Sequence, residues 1–284
     1  RRDFTINALY AHPETLEIDD FFGGIDDLEA RRVRFIGNAQ ERILEDHIRI
    51  LRYFRFQSRF AGGAEECTLE VCSNLANLLA NISVERIVKD LTKILELDNA
   101  DSAIKMMEDT GVLPIILPEA PEGASERLRD LIAQEAFQNA QPNVTRRLAA
   151  LVAPDGAIAK NVSERLKLSK NQGKRLALAA ERSPDDQSYP FAAAYRYGYE
   201  SACDRLLLSG SSIAPLDEWT IPKFPLTGGE IIALGIPAGP QISQLMKAIE
   251  NRWISENFPG RDRVFKIAAL EIQASLFAGQ EVSA

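Results

Sequence analysis

The segment Glu45-Asp46-His47-Ile48-Arg49 sets a carboxylate three residues ahead of a guanidinium. On a continuous helix that spacing puts Asp46 and Arg49 on one face. Two chemistries fit. In the plain one the pair is a surface ion pair, or part of an acid-rich helix start, of small energetic consequence. In the other it reads a nucleobase. Adenine and cytosine present an exocyclic amine donor beside a ring-nitrogen acceptor, whereas guanine and uracil present a carbonyl beside an N–H. A carboxylate next to a guanidinium matches the first two bases and opposes the others. A buried mismatch leaves polar groups unpaired, which rejects the wrong base strongly. Such a pair would accept ATP and CTP and refuse GTP and UTP without a template.

The surroundings are basic in one particular way. Arg31, Arg32, Arg34, Arg42, Arg49, Arg52, Arg55 and Arg59 are all arginine, with no lysine among them. A solvated helical face could use lysine equally well, whereas the flat fork of arginine suits phosphates and base edges. The whole chain carries a formal charge of −8, so any nucleic-acid binding must come from this local cluster and not from net charge.

The elements that must position these residues read as mostly helical. Thr15 to Asp19 alternates like a short strand, and Phe22-Gly23-Gly24 interrupts it as a turn or hinge. From about Asp26 the pattern is helical. Ile43, Leu44, Ile48, Leu51, Phe54 and Phe56 form the apolar side of an Arg-rich helix that Gly62-Gly63 ends. Ser83 is placed to cap a helix carrying Val84, Ile87, Val88, Leu91, Ile94 and Leu95. A Pro/Gly/Glu-rich stretch, 118–125, could join two sub-domains, and helical patterns resume at about 126–140, 143–152, 160–182 and 190–208. Thr227 and Glu230 form a capping box, Gly235 closes that short helix, and Gly239-Pro240 opens the next. The intervening loop, Gly235 to Pro240, is either a packing turn or a set of free N–H groups for a phosphate.

Composition sets the remaining bounds. Hydrophobic residues make up 45% and charged residues 26% of 284, which supports a buried core and excludes wholesale disorder. No apolar run approaches the roughly 20 residues of a membrane span. Cys67, Cys72 and Cys203, an odd number without C-x-x-C spacing, suit buried free thiols in a reducing cytosol, not a disulfide framework or a zinc site. His12 and His47 are the only histidines, and neither precedes an Asp, so no His-Asp phosphohydrolase site is indicated. The chain opens on Arg1-Arg2-Asp3 without a signal-peptide pattern, an opening expected of a chain cut at its front.

Three segments in this order, RRDFTINAL at the start, DFFGGIDDL at 20–28 and EDHIRILRYFRF at 45–56, resemble the class II CCA-adding enzyme and bacterial poly(A) polymerase family. The stretch ISVERI at 82–87 is similar to that family's next neck helix, and LTGGEIIALGIPAGPQISQLMKAIENRW at 226–253 to its tail. The resemblance is dense over residues 1–120 and returns at about 160–176 and 224–254. It implies that Asp46 and Arg49 hydrogen-bond the incoming base. It implies that Arg2, Asp3 and Asn7 hold ribose and phosphates, and that Gly23 and Gly24 form the hinge that reshapes the pocket. Arg52 and Arg55, further along the helix, would brace the pocket or meet phosphates. Many bacterial members have Pro where this chain has His47, to which no role is assigned.

The implied fold is mostly α, the remnant of an α/β nucleotidyltransferase head followed by helical neck, body and tail. The implied boundaries are 1–28 for head remnant and hinge, 29–120 for neck, 121–212 for body and 213–284 for tail. The implied reaction of the intact enzyme is addition of CMP and AMP, from CTP and ATP, to a tRNA 3′ end in the cytoplasm, with no membrane partner. The alternatives are a poly(A) polymerase, a split enzyme adding only A or only CC, or a non-catalytic helical RNA-binding module. The family's Mg²⁺-binding carboxylates lie upstream of RRDFT, so no catalytic or metal residue is expected within this chain, and the chain alone is expected to be inactive. Asp19-Asp20 and Asp26-Asp27 are poor substitutes for them.

Overall fold

The computed structural model describes residues 2–281, with side chains through residue 275. The chain divides into two compact units, Arg1–Pro184 with Asp204–Ser212, and Asp185–Cys203 with Ile213–Ala284. Residues 185–203 therefore group with the C-terminal segment and not with the stretch 121–212.

The first unit starts with little regular structure. A 3-10 turn at Thr5–Asn7 is followed by a two-stranded antiparallel hairpin, β1 (Tyr10–Ala11) against β2 (Ile18–Asp19). Helix α1 (Gly24–Glu29) follows. Helical structure does not then continue, as the sequence suggested. Val33 to Phe35 runs extended, because Phe4 bridges Phe35 and Asp3 accepts the Ile36 N–H at 3.1 Å. Phe4 is fully buried and packs its ring 4.8 Å from Phe35 and 5.0 Å from Phe56. That aromatic contact ties the first residues to the Arg-rich helix.

The Arg-rich segment is two helices, α2 (Ala39–Glu45) and α3 (Arg49–Phe60), and not one. Asp46 is extended, with φ −156° and ψ 103°, and its carbonyl accepts the Arg49 N–H at 3.0 Å. The reason is local: Asp competes with the backbone for hydrogen bonds and favours helix ends, and an acid before α3 suits that helix's positive N-terminus. Asp46 and Arg49 thus do not share a helical face. The next helices are α4 (Glu66–Asn74), α5 (Val84–Leu95) and α6 (Ala100–Asp109). Ile50, Leu51, Tyr53 and Phe54 of α3 are buried, as are Ile87, Leu91 and Ile94 of α5 and Ile104 and Met107 of α6. This spacing at three and four residues lets α3 pack against both. Cys72 is buried on α4, where burial pushes its thiol up to about 12, but Cys67 is exposed, against the expectation of a buried thiol.

After α7 (Leu113–Ile116), helices α8 (Ala124–Phe137) and α9 (Val144–Leu151) pack together. The helical pattern at 160–182 is broken into α10 (Gly156–Arg165) and α11 (Lys170–Ala180) by Lys167 at φ 52°. The pattern at 190–208 is likewise two helices, with Gly198 at φ 86° between them. They follow the short α12 (Pro184–Ser188) and are α13 (Pro190–Tyr197) and α14 (Tyr199–Leu208), whose last residues return to the first unit.

In the second unit the expected punctuation holds. The Thr227 hydroxyl and Glu230 form the capping box of α15 (Gly228–Ala233), and Gly235 follows at φ 95°. Gly239 caps α16 (Pro240–Ser255) with proline at its first position, and α17 (Arg261–Glu281) packs against it. Trp253, Ile249, Ile231 and Val264 anchor this core.

Candidate nucleotide-selection site

Asp3 is brought to the N-terminus of α3 by the extended pairing around Phe4. Its carboxylate is buried and meets two arginines, Arg49 Nε at 2.8 Å and Arg52 Nη2 at 2.6 Å. Arg49 is itself 8% exposed. Its Nη1 donates to the Arg42 carbonyl at 2.6 Å and to Glu45 Oε2 at 2.7 Å. Burial opposes the Arg49 charge, but Glu45 and Asp3 more than offset it and hold its pKa above the ordinary value. The hydrogen bond from Arg49, reinforced by Arg42, holds Glu45 below the usual carboxylate range. These contacts come from two segments, the chain start at Asp3 and α2 at Arg42 and Glu45, and hold the guanidinium from two sides.

Asp46 follows immediately after α2 and is held differently. Arg86 of α5 places Nη2 at 2.9 Å and 2.7 Å from its two oxygens. This pair is solvent-accessible, with side chains 49% and 34% exposed. A carboxylate has about four lone-pair sites, so Asp46 keeps acceptor capacity beyond this contact. The Asp46 carboxylate and the Arg49 guanidinium do not bond to each other; only the backbone hydrogen bond links the two residues. Each is braced by its own partners, one toward solvent and one toward the core.

The other expected residues fall into three groups. Arg42 and Arg52 join the Asp3 cluster, and the buried Nε of each has no acceptor. An unpaired buried N–H is uncommon enough to mark a place where a ligand oxygen or water belongs. Arg2 is exposed, and its backbone carbonyl accepts from Arg42 at 2.7 Å. Asn7 turns its Oδ1 back to the Phe4 N–H at 3.2 Å, closing the 3-10 turn. Arg55 pairs with Asp90 of α5 at 2.5 Å, not with the Asp3 cluster, and burial outweighs that partner and lowers its pKa.

Gly23 and Gly24 are tightly fitted. Gly23 caps α1 at φ 71°, and a Cβ on Gly24 would lie 2.4 Å from the Thr5 carbonyl oxygen. Asp20 accepts the N–H groups of Ile25 and Gly24 at 2.9 and 2.8 Å, which hold its pKa below the usual range. Asp27 is fully buried. Burial pushes its pKa up, but the Thr5 hydroxyl, Arg32 and Arg34 outweigh that and hold it low. Both carboxylates are therefore committed to the fold. Among the described residues no three His, Cys, Asp or Glu side chains converge to hold a metal.

Arg86, Arg42 and Glu45 lie in motifs noted above, but sequence reasoning assigned none of them an individual role. Glu45 and Arg42 lie at helical spacing from Arg49, and that signal was readable. Arg86 is 40 residues from Asp46, and only its place in ISVERI hinted at a role.

Residues 1–34 match a family model described as the poly A polymerase head domain, and residues 65–122 one described as the probable RNA and SrmB-binding site of polymerase A. The mouse mitochondrial CCA tRNA nucleotidyltransferase 1 is 32% identical over 272 residues, covering 89% of this chain. The chain spans 61% of that relative's length. The CCA-adding enzyme of Streptococcus sanguinis is 30% identical over 278 residues, covering 91% of this chain and 68% of its own length. The fold matches that of the Bacillus stearothermophilus CCA-adding enzyme, solved in complex with CTP, with a TM-score of 0.74 at 24% identity over 99% of this chain and 74% of that one. With a relative of this identity covered over two thirds of its length, and both segment models in the same order, the chain belongs to the class II CCA-adding enzyme and poly(A) polymerase family.

Proposed function

We propose that this chain supplies nucleotide selection and RNA binding for the addition of CMP and AMP to the 3′ end of tRNA. The observation that carries the reading is the separate bracing of Asp46 and Arg49. Arg49 is held by Asp3, Glu45 and the Arg42 carbonyl. The Arg49 guanidinium would donate to N3 of cytosine or N1 of adenine, and Asp46 would accept from the exocyclic amine. GTP and UTP would set donor against donor and acceptor against acceptor. Asp3 and the unmet Nε groups of Arg42 and Arg52 would take the ribose and phosphates, with Arg2 and Asn7 beside them. Gly23-Gly24 would act as the joint that reshapes the pocket between C and A.

In this reading residues 1–28 are the remnant of the head with its hinge, 29–120 the neck, 121–212 the body, of which 185–203 group with the C-terminal segment, and 213–284 the tail that meets RNA. CCA addition is favoured over poly(A) synthesis because the relatives aligned with nearly the whole chain carry that name. Mg²⁺ is proposed for the intact enzyme. It would neutralise the transferring phosphates when bound, but no carboxylate set described here would hold it. By itself the chain is then expected to incorporate no nucleotide. No helix among the described residues is long and apolar enough to cross a membrane, and a cytoplasmic location remains part of the proposal.

The test uses the full-length gene product with Mg²⁺ and a tRNA lacking its terminal CCA. Addition of CC with CTP alone, and CCA with both nucleotides, is the expected result. Long A tracts with CTP ignored would replace this reading with a poly(A) polymerase. Unselective incorporation by the wild type, unchanged in D46A and R49A, would remove the base-reading role.

A further inference from the structure

A second polar cleft, of about 900 Å³, lies in the first unit between α3 and the end of α5. Arg55, Phe56, Arg59 and Phe60 of α3 line it, with Lys93 of α5 and Arg31 from the turn after α1. Arg52, Arg55 and Arg59 recur at helical spacing, so the cleft continues the strip that begins beside Asp3. Seven residues along a helix make about 10 Å.

Charge and ring geometry in the cleft are unusual for this chain. Its neighbours are neutralised, Arg32 and Arg34 by Asp27 and Arg55 by Asp90. Among the described residues Arg31, Arg59 and Lys93 have no carboxylate partner, although the chain as a whole is acidic. The Arg55 guanidinium lies 5.2 Å from the Phe56 centroid and that of Arg59 lies 5.3 Å from Phe60. The two rings are 5.6 Å apart, and Phe60 is 36% exposed. Arg31 sits at φ 50°, uncommon for a residue with a side chain, and its carbonyl is fixed by the Gly62 N–H at 2.8 Å. Glu96 and Asp98 also line the cleft, past the end of α5. They would repel a phosphate there and confine a polyanion to the arginine side.

We propose that this cleft holds a single-stranded RNA segment. A phosphate would lie among Arg31, Arg59 and Lys93, with an unstacked base against Phe60. Aromatic rings interleaved with arginine are a general platform for single strands, because every base has a π-face. The proposal rests on the RNA-addition reading and extends it to nucleotides behind the reacting end.

Fluorescence anisotropy of the 284-residue chain with a labelled eight-nucleotide RNA tests it. R59E and K93E are expected to weaken binding roughly tenfold and to reduce the salt dependence by about 0.7 in log–log slope, one phosphate of a single strand. F60A should lose a similar factor with the slope unchanged, and F60Y, which keeps the ring, should bind like the wild type. K160E, exposed on α10, should have no such effect. All these side chains are at least partly exposed, and circular dichroism would check folding. Unchanged affinity in R59E and F60A while the wild type binds would overturn the cleft and leave nucleotide selection at Asp46 and Arg49 standing. Absence of RNA binding by the wild type, or equal displacement of RNA by polyglutamate, would also overturn it. Nucleotide selectivity in the incorporation assay is a separate readout.

Discussion

Glu135 is a buried carboxylate serving two buried arginines, and its neutral replacement is the sharpest test of how the first unit is held together. Its Oε1 accepts from Arg146 Nε at 2.8 Å, and its Oε2 from Arg147 Nε at 2.8 Å. The three residues are 2%, 4% and 1% exposed. Arg146 also reaches Asp204 at 3.2 Å, and Asp204 pairs with Arg175 at 2.5 Å. Among the described residues Arg147 meets no other carboxylate. It donates to the carbonyls of Leu95 and Leu97 at 2.8 and 2.6 Å, at the C-terminal end of α5. In E135Q the cluster gains one uncompensated positive charge, and Arg147 loses its charged partner. Removing one partner of a buried pair costs about 3–5 kcal/mol. The glutamine oxygen preserves part of the hydrogen bonding, so the lower end, about 3 kcal/mol, is expected. With a urea slope of about 2 kcal/mol/M, the midpoint should fall by about 1.5 M. Far-UV circular dichroism is the assay, since Trp219 and Trp253 both belong to the second unit. The control is D109N, whose partner Lys105 is exposed and where under about 0.5 kcal/mol should be lost. A loss below about 1 kcal/mol in E135Q would refute the reasoning, because the charges would then be solvated.

Three further outcomes follow from contacts already described. R86A in the full-length enzyme should lower kcat/KM for ATP and CTP about tenfold and raise GTP and UTP misincorporation, with R86K restoring part of the selectivity. Uniform loss with the nucleotide ratio unchanged would make Arg86 structural only. Asp27 has its pKa held below the usual value in the folded state, so its stabilisation is present above about pH 4 and is lost as pH falls through the lower, folded value. D27N should be less stable than wild type at pH 7, and urea midpoints should converge below about pH 4; a constant gap would count against the assignment. G24A places a Cβ against the Thr5 carbonyl and should cost about 1–3 kcal/mol in thermal melts, whereas G63A, with open space around it, should be neutral.

What could be read from the sequence was local. The helix from Val84 follows from its three- and four-residue apolar spacing, and the start of α15 from Thr227 and Glu230. The break before α11 was equally readable, since Ser169 and Gln172 form the same kind of box, but the apolar pattern on both sides hid it. The break at Asp46 was masked by apolar residues that keep helical spacing across it. What could not be read depends on pairs remote in sequence. Arg86 meets Asp46 across 40 residues, and Asp204 meets Arg146 across 58. A single sequence ranks neither arginine above its neighbours, and burial alone turns Arg146 and Arg147 from apparent surface residues into core ones.

The placement of tryptophan and cysteine gives the molecule an optical ruler. Trp219 and Trp253 are confined to the second unit, and Cys67, exposed on α4, belongs to the first, while Cys72 and Cys203 are buried. A dye attached under native conditions should therefore go to Cys67 alone. Energy transfer from the tryptophans to that dye would report any change in separation between the two units when RNA or nucleotide is added, without altering a residue.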